Sequence, residues 1–131
     1  MKKLIKNPLV LKLPLLLYSM AIFYMSHQSQ PPNIVNYFWS MDKLLHLGAY
    51  FVYFFCSLLY FKTLKFPAKK MHIYSITIAL LFAISDEFHQ YFIPGRSAEF
   101  GDILADFVGI FLAFSIYYFV NKKLKKQSEI K

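Results

Sequence analysis

The sequence predicts an all-α membrane protein: one domain over residues 1–131, a bundle of four transmembrane helices with both termini cytoplasmic. Three observations carry that reading. The chain is 57% hydrophobic and 20% aromatic, more apolar surface than a soluble domain of this length can hide. Its apolar residues gather in four runs of membrane-crossing length. Its charges, only 17% of residues, sort by sign between alternate ends of those runs.

A membrane helix needs about 20 mostly apolar residues. The first span is expected at about 8–26, with Lys12 and Pro14 near its start. It follows a basic start, Lys2, Lys3 and Lys6, as a signal peptide would. The stretch after it, "YMSHQSQPP", is bulky and polar and lacks a small-x-small cleavage site, so an uncleaved anchor is expected. The second span is expected at about 44–61, the third at about 72–92 and the fourth at about 102–120. The connections are short, which predicts antiparallel neighbours packed together. The single cysteine, Cys56, excludes a disulfide within the chain and reads as a small apolar residue.

The net charge of +8 does not read as a nucleic-acid surface, because the lysines sit beside the apolar runs. Lys2, Lys3 and Lys6 precede the first span, and Lys12 can snorkel back to that side. Lys62, Lys65, Lys69 and Lys70 lie between the second and third, and Lys122, Lys123, Lys125, Lys126 and Lys131 come after the fourth. The other two connections hold only Lys43 and Arg96. The positive-inside rule places the lysine-rich segments in the cytoplasm. Asp42, Asp86, Glu87, Glu99, Asp102 and Asp106 then fall at the outer end, with Tyr37, Phe38, Trp39 and Tyr91 as an interfacial belt. Membrane lipids are the expected partners of this surface, and the oligomeric state is not legible.

The outer ends carry the chemistry. Residues three or four apart share a helix face. Asp42 and His46 are so spaced, with Tyr50 one turn deeper. Asp86, His89 and Gln90 share a face of the third span, and Asp102 and Asp106 share one of the fourth, with Gly109 one turn deeper. Glu87 is expected to point elsewhere, toward Gln90 and Pro94. Charged groups at membrane depth usually face the bundle interior or a wet cavity, so the three stripes are expected to converge on an outward-opening pocket. Pro94-Gly95 ends the third span. Ser97 is placed to cap a helix beginning there, with Glu99 near its positive end. Arg96, the only arginine, suits a carboxylate or a phosphate. Gly48 and Gly109 read as close-packing positions. His27 and His72 are set aside as a loop residue and a cytoplasmic one.

Four readings of the cluster stay open. It is polar glue fixing helix register. It is a binding pocket for an envelope lipid, precursor or amphiphilic drug, with Arg96 and Lys43 holding anionic groups. It is a metal site, for which His46 and His89 with Asp86, Asp102 and Asp106 have the right ligand types, although no zinc signature such as H-E-x-x-H is present. Or it is acid–base catalysis, with His46 or His89 paired to a carboxylate such as Asp86. Polar residues there exceed what register requires, which favours binding. No cofactor is expected on that reading, and a divalent metal belongs to the rival enzyme reading. A proton-coupled transporter lacks support, because the inner halves are apolar.

The motifs "DKLLHLGAYFVY" at 42–53, "SDEFHQYFIPGR" at 85–96 and "DILADFVGIFLA" at 102–113 together resemble the VanZ-like family of small bacterial membrane proteins. The family-pattern positions here are Asp42, Lys43, His46, Asp86, Glu87, His89, Gln90, Gly95, Arg96, Asp102 and Asp106. The resemblance implies a cell-envelope protein of the bacterial cytoplasmic membrane. The family's name-giving member is associated with low-level teicoplanin resistance. The resemblance implies no defined reaction. The expected function is therefore recognition of an envelope lipid, precursor or glycopeptide-like amphiphile. The rival is a membrane-embedded hydrolase or transferase acting on such a lipid.

Overall fold

The computed structural model describes residues 8–29 and 41–129. Lys2, Lys3, Lys6, Tyr37, Phe38, Trp39 and Lys131 lie outside the described residues. Four helices run in order: α1 Pro8–Ser26, α2 Met41–Lys62, α3 Ala68–Gln90 and α4 Phe100–Glu129. All four are long and apolar enough to cross a membrane.

Local chemistry explains the boundaries. Pro14 lies inside α1, a placement membrane helices tolerate because neighbouring groups re-satisfy the freed carbonyl. Asp42 in the first turn of α2 and Lys62 in its last suit the helix dipole at each end. Lys65 adopts a left-handed backbone (φ 55°) between α2 and α3. Pro67 then immediately precedes α3, in keeping with its fixed φ and missing N–H. Gly95 (φ 82°) turns the chain after α3. Phe100 opens α4, so Glu99, not Ser97, occupies the cap position; its carbonyl accepts from the Asp102 N–H at 2.9 Å.

Two expectations about extent need correction. α3 runs Ala68–Gln90 rather than 72–92, and α4 runs Phe100–Glu129 rather than 102–120. The last residues of α4 are mainly lysines with Leu124 and Gln127, good helix formers that no apolar criterion detects. Lys126 in the last turn also complements the helix dipole. At 30 residues the helix is about 45 Å long, beyond the roughly 30 Å hydrocarbon core.

Sequential helices pack antiparallel as expected. The most extensive pairing is nevertheless between α2 and α4, which run parallel. Gly109 makes it possible: a Cβ there would collide with the Leu47 carbonyl and come within 3.1 Å of the Phe51 nitrogen. Small residues let membrane helices approach this way. Gly48 does not serve the same purpose, since a Cβ there would meet nothing within 4 Å; it sits on an exposed face of α2.

Tyr50, Phe54 and Ile110 fill the core, with Ala79, Ala83 and Ala113 where backbones close in. Tyr53 stacks on Phe82 at 4.8 Å between centroids. The Ser57 hydroxyl crosses to the Ser75 carbonyl on α3 at 3.1 Å. α1 is attached more lightly. Ser19 hydrogen-bonds the Tyr53 hydroxyl at 3.1 Å, while Leu9, Leu16, Leu17 and Met20 point outward, as lipid-facing side chains do. Lys12 does return toward the near end, its ammonium 5.9 Å above the Tyr60 ring.

Candidate functional site

The antiparallel order brings the end of α1, the start of α2, the end of α3 and the start of α4 to one end of the bundle. Nine lysines of the described residues lie toward the other: Lys12, Lys62, Lys65, Lys69, Lys70, Lys122, Lys123, Lys125 and Lys126. The carboxylate-rich end holds the predicted polar stripes, and they face inward. Asp86, Glu87, Gln90, Asp102 and Asp106 are each at most 4% exposed.

The stripes meet in three groups. On the α2–α4 seam, His46 Nδ1 shares a hydrogen bond with Asp106 Oδ1 at 3.0 Å. Glu87 Oε1 approaches the same nitrogen from α3 at 3.8 Å. Nearer the bundle end, Lys43 Nζ donates to Glu99 Oε2 at 2.9 Å and to Asp102 Oδ1 at 3.1 Å. That ammonium holds the Glu99 carboxyl below its usual range. On the α1–α3 side, Asp86 Oδ2 accepts from the Ser26 hydroxyl at 2.8 Å and from Gln90 Nε2 at 3.3 Å.

Two side chains take places the spacing did not suggest. Glu87 was expected to point away, yet it is 2% exposed and faces His46 and Asp106. A helical position between two stripes lands in the middle when a third helix closes over both. His89 goes the other way. It stacks on Phe23 at 4.5 Å, and its Nε2 lies 3.3 Å from His27 Nδ1. It therefore belongs to an α1–α3 rim, and His27, set aside as a loop residue, is its partner. Ser26 was missed too; a serine ending an apolar run reads as a boundary, and only α1 packing turns it into a ligand of Asp86. His72 packs edge-on against Phe114 and Tyr117, away from the site.

Arg96 does not pair with the nearby acids. Its Nη2 donates to the Met25 carbonyl at 3.0 Å, tying the α3–α4 turn to the end of α1. Its buried Nε meets no acceptor among the described residues. Asp86 Oδ1, both Glu87 oxygens, Asp106 Oδ2 and the Tyr50 hydroxyl are likewise buried without a hydrogen-bond partner among the described residues. Native interiors rarely leave so many polar atoms unsatisfied, and each such atom calls for a partner.

Beside this network lies a cavity of about 260 Å³ between α1, α2 and α3. Asp42, His46, Asp86, Gln90 and Arg96 form its polar side, and Ile22, Leu45 and Ala49 are among its apolar walls. The donor set can also hold a cation. Two groups have ligand atoms within 4.8 Å of one another: Asp42, His46 and Asp102, and His46, Glu87 and Asp106. His89 and Asp86, two of the residues with metal-ligand chemistry in the sequence, are in neither group.

Neither the curated proteins nor the solved structures hold a match to this chain. The family model described as VanZ/LLP1 matches residues 6–121. That match covers α1 to α3, α4 as far as residue 121, and every residue of the polar network, and the chain belongs to the VanZ family of multi-pass membrane proteins.

Proposed function

We propose that this chain is a protein of the bacterial cytoplasmic membrane that binds an amphiphile of the cell envelope. The class includes envelope lipids, their precursors and glycopeptides of the teicoplanin type. The cavity it would fill lies at the carboxylate-rich end, and that end faces outward. One observation carries the reading: the cavity has both polar lining residues and apolar walls, and Arg96 is among the polar ones. A guanidinium presents a planar fork suited to carboxylate or phosphate, and the apolar walls suit a lipid-like tail. The lysines at the other end support the outward orientation. The glycopeptide link of the family name is in keeping with a ligand met outside the membrane.

A second reading is a hydrolase or transferase acting on such a lipid. It is favoured by His46, which lines the cavity and is oriented by Asp106, the arrangement of a general base and its partner.

The test uses the full chain in lipid nanodiscs with three fluorescent probes: teicoplanin, undecaprenyl phosphate and a phosphatidylglycerol. Saturable binding of at least one is expected, weakened about tenfold or more by Arg96→Ala, a loss of ~1.4 kcal/mol. Failure of all three to bind, or equal binding by Arg96→Ala, overturns the proposal. Time-dependent conversion of a bound lipid, lost in His46→Ala, selects the second reading.

A further inference from the structure

The seam between α2, α3 and α4 carries more negative groups than its neighbours answer. Glu87 and Asp106 are 2% and 0% exposed. Between them stands one imidazole, His46, hydrogen-bonded to a single Asp106 oxygen. Glu87 Oε1 and Oε2 accept no hydrogen bond among the described residues, and neither does Asp106 Oδ2. The Tyr50 hydroxyl, 1% exposed, is also without a hydrogen-bond partner there and lies in the field of Asp86, Asp106 and Glu87. An uncompensated carboxylate at membrane depth is expensive. A proton, a water molecule or a cation must meet these oxygens.

We infer that His46, Glu87 and Asp106 form a binding site for a divalent transition-metal cation. One imidazole with two carboxylates is the ligand chemistry of zinc, manganese or ferrous iron; soft thiolate ligands are absent from the group, and an all-oxygen shell of the calcium kind is excluded by the imidazole. Three protein ligands leave a coordination position open, as in catalytic metal sites. Their ligand atoms already lie within 4.8 Å of one another. Two ligands about 2.1 Å from a tetrahedral ion lie roughly 3.4 Å apart, so closing on an ion takes about an ångström of movement. Glu87 has the side-chain length to supply it. The ion would replace the proton between His46 and Asp106 and neutralise Glu87.

The neighbouring group, Asp42, His46 and Asp102, is the weaker choice. Asp102 is already met by the Lys43 ammonium at 3.1 Å, and Asp42 is only partly buried. Neither side chain has a buried oxygen left without a partner among the described residues.

The inference is independent of which amphiphile the cavity takes. It also bears on the second reading above, because His46 belongs both to this group and to the cavity lining.

The experiment titrates Zn2+ and, separately, Mn2+ into detergent-solubilised full-length protein stripped with chelator. It is done in a His27→Ala/His89→Ala background, which removes the imidazole pair at the rim. One ion per chain is expected. Glu87→Gln should weaken the affinity at least tenfold, and Asp42→Asn should leave it within about twofold. X-ray absorption of the zinc-loaded protein should show one nitrogen ligand among oxygens, a readout that stands even if Glu87→Gln fails to fold. The inference is overturned by the absence of saturable binding of either metal. It is equally overturned by unchanged affinity in Glu87→Gln, by loss of affinity in Asp42→Asn, or by a shell without imidazole. In the first case protons alone satisfy the buried carboxylates. Envelope-probe binding is scored separately, so a metal-free protein that still binds an amphiphile removes this inference and leaves the proposed function standing.

Discussion

His46 on α2 and Asp106 on α4 are joined by a 3.0 Å hydrogen bond across 60 positions of sequence. The contact exists because α2 and α4 run parallel with Gly109 pressed against the Leu47 carbonyl, one turn below Asp106. Helix packing and polar chemistry are therefore one feature of this fold.

Asp106→Ala should lower stability in detergent by about 1–3 kcal/mol, the cost of leaving a buried partner unmatched. Asp106→Asn, which keeps an acceptor of the same shape, should lower it less. Thermal unfolding followed by tryptophan and tyrosine fluorescence checks the ranking, and an Asn variant as damaged as the Ala variant refutes it.

Gly48 on α2 and Gly109 on α4 should respond in opposite ways. Gly109→Ala forces a methyl group into the Leu47 carbonyl and close to the Phe51 nitrogen. These are backbone atoms that cannot turn aside, and overpacking of this kind costs about 1–3 kcal/mol. Gly48→Ala meets open space and should be neutral or stabilising by up to ~1 kcal/mol through helix propensity. Melting curves of the two single variants decide it, and equal destabilisation would refute the packing account.

The Lys43–Glu99 ion pair sets a pH dependence. Lys43 holds the Glu99 carboxyl below its usual range. The folded-state value is thus depressed relative to an unfolded value near 4.3. The stabilisation is complete above that value and disappears as pH falls through the folded one. Because the Glu99 side chain is 49% exposed, the effect should be small. Wild type and Glu99→Gln should differ by a constant amount from pH 6 to 8 and converge below about pH 4. Divergence of the two melting curves on acidification would show the sign to be wrong.

The proposed orientation is tested by topology reporters. Alkaline phosphatase inserted after Gly95, in the turn between α3 and α4, should be active in cells. The same insertion after Lys65, between α2 and α3, should be silent. The reverse pattern places the carboxylate-rich end in the cytoplasm and removes the extracellular ligand.

Much of this site is legible in one dimension. Asp42, His46 and Tyr50 share a face by spacing alone, as do Asp102 and Asp106, and the cost of membrane-depth charge turns those faces inward. Glu87, His89, Ser26 and His27 are harder to read. Each lies where the outcome depends on which neighbouring helix covers it. The extended end of α4 escaped because a lysine-rich helix leaves no hydropathy signal.

The sequence by itself determined that four helices form, that each is long and apolar enough to span a membrane, and that lysines and carboxylates collect at opposite ends of the spans. Those properties come from local composition and from a helical period that each segment carries alone. Only the tertiary structure decided that α2 and α4 are the close pair, that Glu87 joins His46 and Asp106 while His89 joins His27, and that Arg96 binds a carbonyl of α1. Such choices depend on side chains far apart in the chain competing for the same buried volume, and no single segment contains that information.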